Sequence, residues 1–146
     1  MNPKRGYGEH LVELESKIHE KGLEKRIHLP GLINDEDKLW LYMNFMAVVF
    51  PSKIEGMGSP PVEAMRCGKP VFASAFSSTP EVSEDKAYYW ENFDPKYMAE
   101  FFLENMNHFE NDPGRPLVLH RHSLQHTWEH LAEQYLCLFW KVLGIN

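Results

Sequence analysis

Cysteine is scarce: Cys67 and Cys137 are the two in the chain. Neither sits in a Cys-x-x-Cys pair, so there is no disulfide framework to read, and free thiols in a reducing cytosol are expected. Long hydrophobic runs are missing too. The longest strictly apolar stretch, Met46-Ala47-Val48-Val49-Phe50, is far too short to cross a bilayer. Positive charge is outnumbered, 15 Lys and Arg against 21 Asp and Glu for a net charge of −6. With no basic stripe, a dedicated nucleic-acid binder is excluded. Residues 1–6 lead into polar sequence rather than an apolar core, so no secretory leader is expected. Repeats and low-complexity tracts are also lacking. What remains is ordinary globular material: 146 residues, 43% apolar and 25% charged, enough for one self-supporting core and one domain over residues 1–146.

The periodicities give an alternating order. Residues 9–21 read as an amphipathic helix carried by Leu11, Leu14 and Ile18, with Gly22 suited to its end. Ile27, His28 and Leu29 read as a short strand closed by Pro30-Gly31. Asn34 caps a helix whose first turn is acidic and whose inner face is Leu39, Tyr42, Met43 and Met46. Residues 47–50 form an apolar run that predicts a strand buried on both faces. A helix is expected over residues 61–67 and a second buried strand at 71–73. Pro80 opens a short helix, and residues 87–90 form an edge-like strand. Asp94-Pro95 starts a further helix, residues 111–116 and the His120-Arg121-His122 stretch read as loop, and Ser123 caps the last helix. The apolar stripe of that helix is Leu124, Trp128, Leu131, Tyr135, Leu138 and Val142. Strands alternating with helices imply an α/β fold, a three-layer Rossmann-like parallel sheet with helices on both faces. The chain opens on a helix where such sheets open on a strand, so first strands are expected outside it.

The chemistry lies between Phe50 and Met65. A buried strand feeds a loop holding Gly56 and Gly58, and the loop feeds a helix. In a parallel sheet this is the carboxyl end of a strand, where ligands bind. Amides at the helix start favour an anion, and glycines let backbone approach a ligand. Glu55 and Glu63 stand eight positions apart. Carboxylates accept hydrogen bonds from hydroxyls, so a polyol flanking a phosphate is the natural guest. Taken singly, Glu63 reads as a dipole-complementing surface residue and the glycines as turn residues; the conjunction points to a site. Ser59 and Glu63 do not form a capping box, which needs a three-residue interval.

The Glu55-x7-Glu63 block, set in Phe-Pro-Ser-x3-Glu-Gly-x-Gly-x-Pro-x-x-Glu-Ala-Met-x-Cys-Gly-x-Pro-Val, resembles the donor-binding C-terminal domain of group 1 (GT4-type) glycosyltransferases, which have the GT-B fold. Arg26-Ile27-His28-Leu29-Pro30-Gly31 looks like the strand before the nucleobase loop. Residues 74–82, with Ser77-Ser78-Thr79-Pro80-Glu81-Val82, look like the next active-site loop, and the Ser-Ser-x-Pro-Glu form is similar to mannosyltransferase-like members of polysaccharide and lipopolysaccharide pathways. Residues 87–95 and the Trp128-bearing last helix fit as well.

The resemblance implies the donor-binding part of a retaining glycosyltransferase that moves a sugar from a UDP-, GDP- or ADP-linked donor to a glycan or lipid-linked acceptor. Glu55 would bind hydroxyls of the transferred sugar near the reacting carbon, and Glu63 the ribose. Gly56, Met57, Gly58, Ser59 and Pro60 would face the sugar and diphosphate, with Leu32 and Ile33 against the base. No bound metal or cofactor is implied. The acceptor-binding domain, the first strands and the basic residue for the diphosphate are expected outside this chain, which alone would not transfer; Lys53 and Arg66 are the candidate cations within it. A cytoplasmic enzyme, peripheral at the inner membrane face, is the implied setting. The alternative is a non-catalytic subunit that docks a separate acceptor domain.

Two further patterns have plainer readings. His122, His126 and His130 have a spacing that suits zinc, but they lie off the apolar stripe, and a solvated helical face accounts for them. Cys67 has no evident base and reads as a buried structural thiol. The stripe of the last helix either packs on its own sheet or supports self-association or a partner chain.

Overall fold

The computed structural model describes residues 8–56 and 58–144. The chain divides into two compact units, residues 1–35 and 36–146. The first unit holds α1, Gly8–Glu20. It stops where expected: Gly22 takes φ +63°, and the Leu23 amide bonds the Ile18 carbonyl at 2.9 Å. Residues 27–29 are not a strand. An alternating triplet supplies no ladder partner, and strand geometry is defined by pairing.

The second unit is built on α2 (Asp35–Asn44), β1 (Val48–Phe50), α3 (Ser59–Arg66), β2 (Val71–Ser74), α4 (Thr79–Ser83), β3 (Tyr88–Trp90), α5 (Pro95–Glu110), α6 (Arg115–Ser123) and α7 (Trp128–Leu143). A single 3-10 turn, Glu84–Lys86, links α4 to β3. The described strands form one parallel sheet in the order β1-β2-β3, with Val49 opposite Phe72 and Ala73 opposite Tyr89. Side-chain alternation along the central strand divides the core in two. Val71 and Ala73 pack with Ala64 and Met65 of α3 and Leu119 of α6. Phe72 packs on the other face with Trp90 and Met106 of α5. Helices therefore cover both faces, the three-layer α/β arrangement expected.

Four expectations are corrected. Among the described strands β1 is an edge, and Val49 is 52% exposed because α5 covers that face over β2 and β3. α2 packs through Tyr42 alone of its expected inner face, while Leu39, Met43 and Met46 are exposed. Residues 115–123 form a helix where loop was expected, with Leu119 fully buried between the core residues of α3 and β2. Ser123 consequently ends α6, donating to the His120 carbonyl at 2.6 Å. Thr127 is the residue that caps α7, accepting from the His130 amide at 3.2 Å.

Asp94 caps α5 as read, accepting from the Tyr97 amide at 2.9 Å ahead of Pro95. Asp94→Ala should lower stability by about 1 kcal/mol, a fall of roughly 2–6 °C in Tm, checked by thermal melting against wild type. Cys67 is half-buried rather than buried, and Cys137 is exposed. α7 has no buried residue; Trp128 is 80% and Val142 75% exposed. Its stripe is an apolar surface and not part of the core. No helix among the described residues is long and apolar enough to cross a membrane.

Candidate functional site

Because the strands are parallel, the loops 51–58, 75–78 and 91–94 leave one common edge of the sheet, its carboxyl edge. The first of these carries Glu55, and serines from the second hold it. Ser74 Oγ donates to the Ser52 carbonyl. Ser77 Oγ donates to the Glu55 carbonyl at 2.7 Å and accepts from the Glu55 amide at 3.2 Å. Ser78 Oγ reaches the same carbonyl at 3.5 Å. Within the loop, Ser52 Oγ donates to the Ile54 carbonyl at 3.3 Å. A loop containing glycine is thus fixed at its start and at its acid.

Gly58 is the N-cap of α3 at φ +68°. A Cβ there would sit 3.9 Å from Ser78 Oγ and Thr79 Oγ1, so the glycine answers to its left-handed backbone and not to lack of room. The hydroxyl of Thr79 is itself buried with no hydrogen-bond partner among the described residues. Pro60 and Pro61 occupy the first turn of α3. They start the helix well but carry no N–H, so the free amides it offers an anion reduce to those of Gly58 and Ser59.

Glu63 lies farther along α3 and is met from α2. Lys38 Nζ is 3.4 Å from Glu63 Oε1. The Tyr42 side chain lies beside the same carboxylate; burial foremost, with Glu63 next to it, pushes the phenol well above its ordinary range, so it stays protonated. Glu63 also lines a cavity of about 270 Å³ with Arg66, His126, Trp128 and Glu129. Glu55 is not among the residues lining it.

Of the residues singled out in sequence, Glu55 and Pro60 are half-buried, Gly58 is buried, and Gly56 and Ser59 are exposed. Met57 lies outside the described residues. Leu32 and Ile33 belong to the first unit, Leu32 being 94% exposed. Lys53 holds its ammonium 4.8 Å from the centroid of the Phe93 ring, which stacks on Phe76 at 5.9 Å. These three residues come from the three loops of the carboxyl edge. Among the histidines, His122 is buried with Nε2 2.9 Å from the Val82 carbonyl and Nδ1 3.9 Å from Glu84. His130 pairs with Gln134 at 3.0 Å. Sequence reasoning missed the roles of Ser74, Ser77 and Ser78, and the Lys38 and Tyr42 contacts to Glu63. The serines were visible as a polar cluster at the end of β2 and in the loop beyond it, but their partners stand 22 and 23 positions away.

The sequence pattern of the family described as "Glycosyl transferases group 1" matches residues 5–124. Alpha-1,3/1,6-mannosyltransferase ALG2 of Dictyostelium discoideum is 43% identical over 65 residues, 44% of this chain and 16% of that protein. O-antigen chain mannosyltransferase B of Escherichia coli is 33% identical over 107 residues, 71% of this chain and 27% of that protein. The chain therefore spans about a quarter or less of the length of these relatives. Among solved structures, sucrose-phosphate synthase from Thermosynechococcus elongatus superposes with a TM-score of 0.82 at 23% identity, covering 99% of this chain and 37% of that one.

Proposed function

The chain belongs to the group 1 glycosyl transferases, and on that premise we propose that its carboxyl edge binds the nucleotide-sugar donor of a retaining glycosyl transfer in glycan synthesis. One observation carries the reading. Glu55 and Glu63 belong to a single strand–loop–helix segment whose loop is stapled at Ser52 by Ser74, the last residue of β2, and at Glu55 by Ser77 just beyond it. Glu55 accepts hydroxyls of the transferred sugar, and Glu63 accepts those of the ribose. The diphosphate lies at the head of α3, where the helix dipole and the few amides ahead of Pro60 and Pro61 stabilise the departing charge without a bound metal. Lys38 and Tyr42 hold the Glu63 carboxylate ready from the α2 side. The relatives' names favour a mannosyl donor and, from the O-antigen enzyme, a polysaccharide acceptor; a lipid-linked acceptor and a cytoplasmic setting at the membrane face belong to the same proposal. The role proposed for these residues is donor binding; the chain spans about a quarter or less of the relatives, so acceptor groups are not assigned to it.

Ligand-observed NMR with GDP-mannose, UDP-glucose and ADP-glucose tests the reading. Glu63→Ala should weaken both the sugar nucleotide that binds and its bare nucleoside diphosphate by roughly tenfold or more, the worth of hydrogen bonds to a charged acceptor. Equal binding by wild type and variant would refute the ribose role.

The exposure of α7 favours a second reading, a binding module that docks a separate acceptor domain or another copy through this helix. A chain that stays monomeric by light scattering at high concentration would count against the second copy.

A further inference from the structure

Ser77 has φ +57°, a left-handed backbone that glycine adopts freely and serine does not. A turn selected for its backbone alone would carry glycine here. Its hydroxyl instead serves one residue twice, accepting from the Glu55 amide at 3.2 Å and donating to the Glu55 carbonyl at 2.7 Å. Ser78 repeats the departure. It is the N-cap of α4, yet makes no side-chain cap bond; its hydroxyl lies 3.5 Å from the Glu55 carbonyl. Serine at an N-cap ordinarily bonds the helix's own amides. Two serines at the head of α4 thus depart from their local roles, and both departures meet at Glu55. Local rules broken in concert at one residue mark a functional constraint.

We propose that Ser77 is a positioning residue of the donor site: its hydroxyl fixes the backbone of Glu55, and thereby aims the Glu55 carboxylate at the transferred sugar. This rests on the donor reading above. Ser77 touches neither sugar nor phosphate in this role. It acts through Glu55, so its loss should be felt by the sugar and not by the nucleotide. Ser78 contributes the longer, weaker third contact, and Ser74 secures the start of the same loop at Ser52.

The test compares wild type with Ser77→Ala and Ser77→Gly. Alanine removes the hydroxyl and keeps the left-handed strain; glycine removes the hydroxyl and relieves it. Amide exchange by NMR reads the clamp directly, and titration with GDP-mannose, UDP-glucose and ADP-glucose, each beside its bare diphosphate, reads its use. In both variants the Glu55 amide should exchange roughly fivefold faster or more, while the amides of β2 keep their rates. Affinity for the sugar nucleotide that wild type binds should fall roughly fivefold, and affinity for the bare diphosphate should hold. Ser77→Gly, relieved of the strain, should melt above Ser77→Ala while losing sugar affinity to the same degree, which separates positioning from stability. Unchanged exchange at Glu55 in both variants would overturn the clamp. Ser77→Gly binding the sugar nucleotide as tightly as wild type would overturn the positioning role. If the Glu55 amide is freed as expected but wild type binds none of the three sugar nucleotides, the donor reading fails and takes the positioning role with it, leaving the clamp as architecture.

Discussion

Replacing Phe72 by alanine should lower the Tm of this chain by roughly 10–20 °C, a loss of about 3–5 kcal/mol out of the 5–15 kcal/mol that domains of this kind possess. Phe72 is fully buried in the central strand. Its ring lies 4.5 Å from Phe102, 5.0 Å from Tyr88 and 6.4 Å edge-on from Phe101, so one side chain joins β2 to β3 and to α5. Truncation leaves a cavity among rigid aromatic groups, which cannot collapse to fill it. The control is Val49→Ala on the neighbouring strand. Val49 is 52% exposed at the sheet edge, and its truncation should cost under about 1 kcal/mol. Thermal melting followed by circular dichroism reads both. Equal shifts for the two variants would mean that β1 is buried as deeply as β2.

The second large effect concerns recognition. Glu55→Ala should weaken binding of the sugar nucleotide by roughly tenfold or more while leaving the bare nucleoside diphosphate unaffected. This follows from the division of labour between the two acids. Glu55, on the loop, addresses the transferred sugar, whereas Glu63, on α3, addresses the nucleotide and weakens both ligands when lost. The contrast holds without an acceptor or turnover, so it can be measured on this chain by calorimetry. Loss of the bare diphosphate in Glu55→Ala would place Glu55 against the phosphates or the base instead.

The legible parts of the molecule were those set by local chemistry. α3 and its stop at Gly68, β2 as a fully buried run, and the Asp94-Pro95 start of α5 each depend on residues a few positions apart, and each stands as read. Properties that depend on remote partners were not legible. The run ending at Phe50 has the composition of a central strand, but position in a sheet is decided by neighbours, and Val49 shows an edge. Residues 27–29 alternate like a strand without pairing as one. α6 escaped notice because its last turn is His120, Arg121 and His122, polar residues that sequence alone assigns to a loop. There His122 is buried and His120 sets Nδ1 2.7 Å from the Arg66 carbonyl, contacts that only the fold supplies.

The same distinction runs through the site. Glu55 and Glu63 were identifiable by type and spacing. Their supports were not: Lys38 stands 25 positions before Glu63, and Ser77 stands 22 after Glu55 in a left-handed backbone that its identity does not announce. The thinning of helix-head donors by Pro60 and Pro61, by contrast, was written in the sequence and follows from proline's missing N–H.

The most direct measurement is a two-dimensional amide NMR map of this chain titrated with GDP-mannose, UDP-glucose and ADP-glucose. Shifts concentrated on residues 52–63 and 75–79, with α5 silent, are what a donor seated at the carboxyl edge predicts. Shifts centred on α5 or confined to α7, or none with any of the three, would contradict it.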